Sequence, residues 1–157
     1  MTVVCQRPGF VVSLVNTSES RIQILCMDIS QTPVGDDLEA IMLMISTFIQ
    51  HHEKRLVIHA RHVETPELKP PDLQGMLSIV GKLMELKDSI EKKLKGTIVQ
   101  GTRIDDLVIL TKNVFLGLYK PNKPFDIVAS EEEVQHFMTK ILEHEAEKRT
   151  RKESTRP

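Results

Sequence analysis

The chain is poor in aromatic residues and cysteines and has no long apolar run, and each shortage excludes a class of function. Aromatic side chains make up 4% of the 157 residues, with no Trp and one Tyr, so few rings can stack on bases or sugars. Two cysteines cannot form a disulfide framework, which favours a reducing compartment. The longest apolar run, residues 41–45, is far shorter than the roughly 18 residues of a membrane span. We therefore expect a cytoplasmic protein without a membrane span.

The chain also lacks a strong excess of one charge. With 21 Lys and Arg against 22 Asp and Glu, the net charge is −1, which argues against a dedicated nucleic-acid-binding protein. The balance hides an asymmetry, because residues 148–157 hold five basic residues and one acidic residue, leaving −5 on residues 1–147. We expect residues 1–147 to form a single domain and residues 148–157 to be a disordered basic tail. We do not expect nucleic acid as a partner, except for weak contact through that tail.

The apolar pattern alternates between strands and helices. Residues 10–15 and 21–29 are rich in β-branched side chains and flank the turn sequence NTSES, which predicts a hairpin; Cys5 is expected in a flexible start. Apolar side chains recur at helical spacing in four later segments, at residues 36–52, 72–95, 105–118 and 130–142. Short apolar strands are predicted between and before these helices, at residues 56–60, 97–99 and 125–129.

The ends of these helices carry their own signals. Gly96 is predicted to terminate the second helix, as a C-terminal glycine does. Ser130 and Glu133 form the S-x-x-E capping box that opens the last one. The paired carboxylates Asp36-Asp37 and Asp105-Asp106 also lie at predicted helix starts, where the helix dipole stabilises negative charge.

The order β-β-α-β-α-β-α-β-α predicts an α/β fold: a mixed sheet of four to five strands with about four helices. Strands that alternate with helices pair in parallel through right-handed crossovers. Each helix has one apolar face, so we expect the helices to cover mainly one side of the sheet and leave the other side wet.

This order of elements resembles the STAS domain, found in bacterial anti-sigma factor antagonists and in sulphate transporters, over residues 10–145. Family members carry an Asp-Ser-Ser-Gly turn that opens a helix, and its second serine is phosphorylated in the antagonists. The corresponding residues here are Asp72-Leu73-Gln74-Gly75, of which Asp72 and Gly75 match. The resemblance implies a STAS-like fold and a role in partner docking, without phosphorylation, because Gln74 takes the place of the serine.

The predicted docking surface is the proline-rich loop Glu64–Pro71 together with the start of the second helix. A helix N-terminus offers free N–H groups and a positive dipole end, which a carboxylate or phosphate of a partner can use. The residues assigned to it are Pro70, Pro71, Asp72, Gln74, Gly75 and Met76. We expect a non-enzymatic protein-interaction or regulatory module whose partner is a protein, with a second copy of the chain as one option.

Two other functions stay open. His51, His52, His59 and His62 lie within twelve residues, so a small-molecule-binding or metal-binding protein, or an enzyme, using this region is one alternative. A metal site is disfavoured because His59 and His62 should project to opposite faces of a strand and no cysteine lies near. No nucleophile elbow, phosphate-binding loop or zinc-protease motif occurs, so no catalytic residue, metal or cofactor is expected. The other alternative is a structural building block of an oligomer.

Overall fold

The computed structural model describes residues 1–31, 35–62, 73–101 and 124–154, which form an α/β fold around one six-stranded sheet. Its strands are β1 (Thr2–Arg7), β2 (Phe10–Asn16), β3 (Ile22–Ile29), β4 (Arg55–His62), β5 (Leu94–Gln100) and β6 (Phe125–Val128). Its helices are α1 (Gly35–His51), α2 (Leu73–Glu85), α3 (Lys87–Lys93) and α4 (Glu131–Ser154). The helix predicted at residues 105–118 lies outside the described residues. In the part of the chain that is described, no helix has the length and apolar character needed to cross a membrane.

The strands follow one another across the sheet in sequence order. β1, β2 and β3 pair antiparallel, whereas β3, β4, β5 and β6 pair in parallel. The predicted α/β class, the mixed sheet, the β2–β3 hairpin and the parallel pairing after it are therefore confirmed.

The first strand of the sheet was not expected from the sequence, which predicted a flexible start there. β1 pairs with β2 across the turn at Pro8 and Gly9, so Cys5 lies opposite Val12 and is half-buried. Gly9 has φ +75, and a Cβ there would lie 2.9 Å from Cβ of Gln31, so this turn requires glycine. The sheet thus has six strands instead of four or five.

Helices cover both faces of the sheet, which corrects the expectation of one covered side. The neighbouring β4 residues Leu56 and Val57 are both fully buried and point to opposite faces. Leu56 packs in a cluster with Leu25 of β3 and with the apolar face of α1. Val57 packs in a separate cluster with Ile98 and with α4. The central strands are therefore buried on both sides, as expected for a parallel sheet.

The second predicted helix is two helices in the structure, and Gly96 does not terminate it. α2 ends at Glu85, α3 ends at Lys93, and Gly96 lies inside β5, paired with Val57. A Cβ at Gly96 would approach Cδ1 of Ile141 to 2.5 Å, so glycine lets α4 lie close against β5. The glycine therefore serves close packing rather than helix capping.

α4 continues through Ser154, so residues 148–154 are helical where the sequence predicted a disordered tail. Polar contacts fix its second half to the sheet. Glu145 accepts bonds from Lys95 at 2.8 Å and from Arg55 at 3.0 Å, and Arg149 lies 3.4 Å from Glu19 in the β2–β3 turn. The side chains of Glu145 and Lys95 are only 10% and 9% exposed.

Burial alone would raise the pKa of Glu145, but the bond from Lys95 and the positive charges of Lys95 and Arg55 hold it below its usual value. Burial lowers the pKa of Lys95 despite that bond. The Glu145 carboxylate is therefore the group that makes a buried cation tolerable beneath α4.

We predict that Glu145→Gln lowers the free energy of unfolding by about 2 kcal/mol, because it leaves Lys95 buried without a counter-ion. The exposed Glu143→Gln on the same helix is the control and should change it little. The pKa of Glu145 is lower in the folded protein than in the unfolded chain, where it is near 4.5. Its contribution to the free energy of unfolding is therefore full above pH 4.5 and is lost as the pH falls through the pKa of the folded state.

Urea titrations from neutral to acid pH measure both effects. The difference in the free energy of unfolding between the wild type and Glu145→Gln should decrease as the pH falls below 4.5. Equal stability of the two proteins at pH 7 would contradict the assignment.

Candidate functional site

A row of polar side chains crosses the sheet where the parallel strands end. Asp28 of β3 pairs with Arg61 of β4, and Arg61 pairs with Gln100 of β5, so the three residues share one face of the sheet. Glu131, the first residue of α4, lies on the same side and accepts a bond from Gln100 at 3.2 Å. In open α/β sheets, ligands bind outside the carboxyl ends of the strands, so this end is the candidate site.

Asp28 and Arg61 form a bidentate ion pair. Nε and one terminal nitrogen of Arg61 donate to the two carboxylate oxygens of Asp28 at 2.7 and 3.0 Å. The bond from Arg61 holds the pKa of Asp28 below its usual value, and the same bond raises the pKa of Arg61. The Arg61 side chain is 43% exposed and that of Asp28 29%. The pair is thus a fixed, half-exposed surface feature with little net charge.

A second chain of hydrogen bonds runs beside the ion pair. Nε2 of His59 lies 2.9 Å from Oε1 of Gln100, whose amide nitrogen donates to Glu131. Gln135 donates to the other carboxylate oxygen of Glu131 at 3.1 Å. This bond from Gln135, followed by the one from Gln100, lowers the pKa of Glu131. His59 is only 9% exposed, so its imidazole is buried beside this chain of hydrogen bonds.

Cys26 lies beneath the ion pair, opposite His59 on the neighbouring strand. Burial, with a further contribution from the negative charge of Asp28, raises the pKa of the Cys26 thiol to about 11. Its Sγ lies 3.7 Å from Oδ1 of Asp28. A catalytic cysteine needs a lowered pKa, so this thiol is placed as a small core residue and not as a nucleophile.

An open depression of about 570 Å³ adjoins the ion pair. It lies at the turn between β1 and β2 and the end of β3, and its walls are Gln6, Arg7, Pro8, Gly9, Phe10, Val11, Asp28 and Ser30. Arg7 is paired with Asp37 of α1 at 3.1 Å. Polar groups and apolar surface are both present along these walls.

The predicted docking residues divide between described and undescribed parts of the chain. Pro70, Pro71 and Asp72, together with the loop Glu64–Pro71, lie outside the described residues. Gln74, Gly75 and Met76 lie in the first turns of α2, and Gln74 is exposed. Two large apolar side chains of the same turns, Leu73 and Leu77, are 62% and 52% exposed. The start of α2 thus presents apolar surface to solvent.

The histidines of the region 51–62 do not form one cluster. His51 is exposed at the end of α1. His52 bonds Gln23 at the start of β3 and stacks on the Phe48 ring, and burial lowers its pKa. His59 bonds Gln100 at the opposite end of the sheet. Over the described ranges, no three His, Cys, Asp or Glu side chains are grouped as metal ligands.

Asp28, Arg61, Gln100 and Glu131 were not identified as site residues from the sequence. They come from four separate elements, and no spacing in the sequence relates them. One signal was present in the sequence. Asp28, Arg61 and Gln100 lie at or just beyond the carboxyl ends of three successive predicted strands. Polar side chains at the carboxyl ends of parallel strands point to a shared site.

Comparison of this chain with protein-family models, with curated proteins and with solved structures finds no match. The resemblance to STAS domains therefore rests on the order of the elements and on Asp72 and Gly75.

We predict that Cys26 reacts with Ellman's reagent at pH 8 on the order of a hundredfold more slowly than free cysteine, because a pKa of about 11 leaves little thiolate. The Cys5→Ser variant isolates this reaction, and Cys26→Ser serves as the control that reports Cys5 alone. The Cys26 rate should rise about tenfold per pH unit up to pH 10. A rate close to that of free cysteine at pH 8 would show that the thiol is activated.

Proposed function

We propose that this protein is a non-enzymatic interaction or regulatory module of STAS-like topology that docks a protein partner at the carboxyl end of its sheet. The docking surface comprises the loop Glu64–Pro71 and the start of α2, Asp72–Met76. The observation that carries the proposal is the exposure of Leu73 and Leu77 around the exposed Gln74. Apolar side chains of this size in solvent are typical of surfaces that a partner covers.

The polar row at the end of the sheet supports recognition more than chemistry. The charges of Asp28 and Arg61 neutralise each other, and both carboxylate oxygens of Glu131 accept bonds from amides. General acid–base catalysis needs a group free to exchange a proton with a substrate. A fixed ion pair with exposed edges instead gives a partner donors and acceptors at defined positions.

The resemblance to STAS domains adds a regulatory expectation with one exception. The resemblance implies partner docking around the turn Asp72–Gly75. Gln74 has no hydroxyl group, so the proposed surface is not controlled by phosphorylation at that residue.

Binding of a small molecule is a second candidate, favoured by the open depression beside Asp28. It predicts a ligand of fixed stoichiometry in the purified protein. Native mass spectrometry with elemental analysis distinguishes the candidates, since a protein module without a ligand has the mass of the bare chain. A retained ligand would favour the second candidate.

The docking surface is tested with the double variant Asp72→Ala, Gln74→Asp. Capture of partners from the cells in which the protein is native is quantified by mass spectrometry. We expect the captured amount of at least one stoichiometric partner of the wild type to fall about tenfold, because the change removes the Asp72 carboxylate and puts a charge beside Leu73 and Leu77.

The matched control is Glu143→Ala, Thr139→Asp on α4, which also removes one carboxylate and adds one at exposed positions. It should capture the same partners as the wild type. A second variant, Leu73→Ser, Leu77→Ser, should lose the same partner as the first one. Unchanged capture by both α2 variants would exclude this surface.

A further inference from the structure

The first strand of the sheet forms an outer edge that a partner strand can extend. β1 pairs on one side with β2 and is the terminal strand of the described sheet. An edge strand presents unpaired N–H and C=O groups, and proteins usually protect such an edge with proline or with charged side chains. From Thr2 to Gln6 the sequence TVVCQ contains neither. This edge is therefore chemically open to strand addition.

Three apolar side chains are exposed at this edge. Met1, Val3 and Val4 are 91%, 55% and 36% exposed. The one charged side chain of the strand, Arg7, is held by Asp37 of its own chain. Val4 lies at a bulge, opposite no residue of β2, which shortens the regular part of the edge. An added strand would thus be held by side-chain packing around Val3 and Val4 as well as by backbone hydrogen bonds.

The distribution of charge identifies the occupant. The first turns of α1 and α4 are acidic, with Asp36, Asp37, Glu131, Glu132 and Glu133. The last turns of α3 and α4 are basic, with Lys92, Lys93, Arg151 and Lys152. Because these helices run back against the parallel strands, their described ends place acidic residues at the carboxyl end of the sheet and basic residues at the amino end.

A two-fold axis through an antiparallel β1–β1 pair reverses one copy relative to the other. It would lay the acidic end of each molecule beside the basic end of its partner, which is favourable electrostatically. Such an interface is isologous and closes after two copies. A parallel pairing would put like charges side by side.

We propose that β1 pairs antiparallel with β1 of a second copy of this chain, so that two six-stranded sheets join into one continuous sheet. This interface is separate from the docking surface on α2. It leaves the carboxyl end of both sheets accessible to partners.

The test measures the mass of the full chain in solution by light scattering and sedimentation. We expect twice the monomer mass of 17.9 kDa at micromolar concentration. The variant Val3→Lys, Val4→Lys should shift the protein to the monomer, with a dissociation constant raised about tenfold or more, because it brings four positive charges together across the interface. A monomeric wild type would overturn the proposal.

Leu43→Lys, Leu77→Lys is the matched control, since it places the same charges at exposed apolar positions away from β1, and it should remain a dimer. Circular dichroism confirms that both variants fold. Hydrogen exchange of the wild type provides a readout without substitution: residues 2–7 should gain protection as the concentration rises. The interface would lie elsewhere if Val3→Lys, Val4→Lys remained a dimer. The same would follow if hydrogen exchange at residues 2–7 did not depend on protein concentration.

The proposed dimer and the proposed docking surface can be tested independently of each other. Asp72→Ala, Gln74→Asp should retain the dimer mass even where it loses its partner. Val3→Lys, Val4→Lys should retain the partner that the α2 surface captures.

Discussion

The two central strands, β3 and β4, pair in parallel, and a parallel pair can be joined only by a connection that crosses one face of the sheet. α1 provides that connection and covers Leu25 and Leu56. The other face of the same strands carries Ile22 and Val57, which are also apolar and need their own cover. α4 returns across the sheet to supply it. The architecture thus follows from burying one pair of strands on both sides.

Among the described residues, α4 covers the second face, and this has consequences for both ends of the molecule. α4 approaches β5 closely because Gly96 has no side chain, and it brings Glu145 over the buried Lys95. At its other end, the same helix brings Glu131 to Gln100. One helix therefore links the ion pairs of Glu145 at the amino end of the sheet to the hydrogen bond between Gln100 and Glu131 at the carboxyl end.

The sequence predicts most of the elements because their patterns are local. The β2–β3 hairpin, α1, β4, β6 and the start of α4 each have a turn, a cap or an apolar period within a few residues. β1 was missed because TVVCQR is a short edge strand without alternation of buried and exposed side chains. The role of Gly96 was predicted wrongly because the sequence pattern is the same in two cases. A glycine that follows a helical segment can cap that helix, or it can lie in a strand and allow another helix to pack closely. The polar row was missed because its members meet only when the strands are in register.

The end of α1 shows how the first half of the fold depends on the second. Nζ of Lys93 donates to the backbone oxygens of Gln50 and His52, which the helix itself leaves without donors. The cap of α1 thus comes from a residue 41 positions later than His52. The last turn of α1 gains these two hydrogen bonds only when α3 lies beside it, so we expect the two helices to open together.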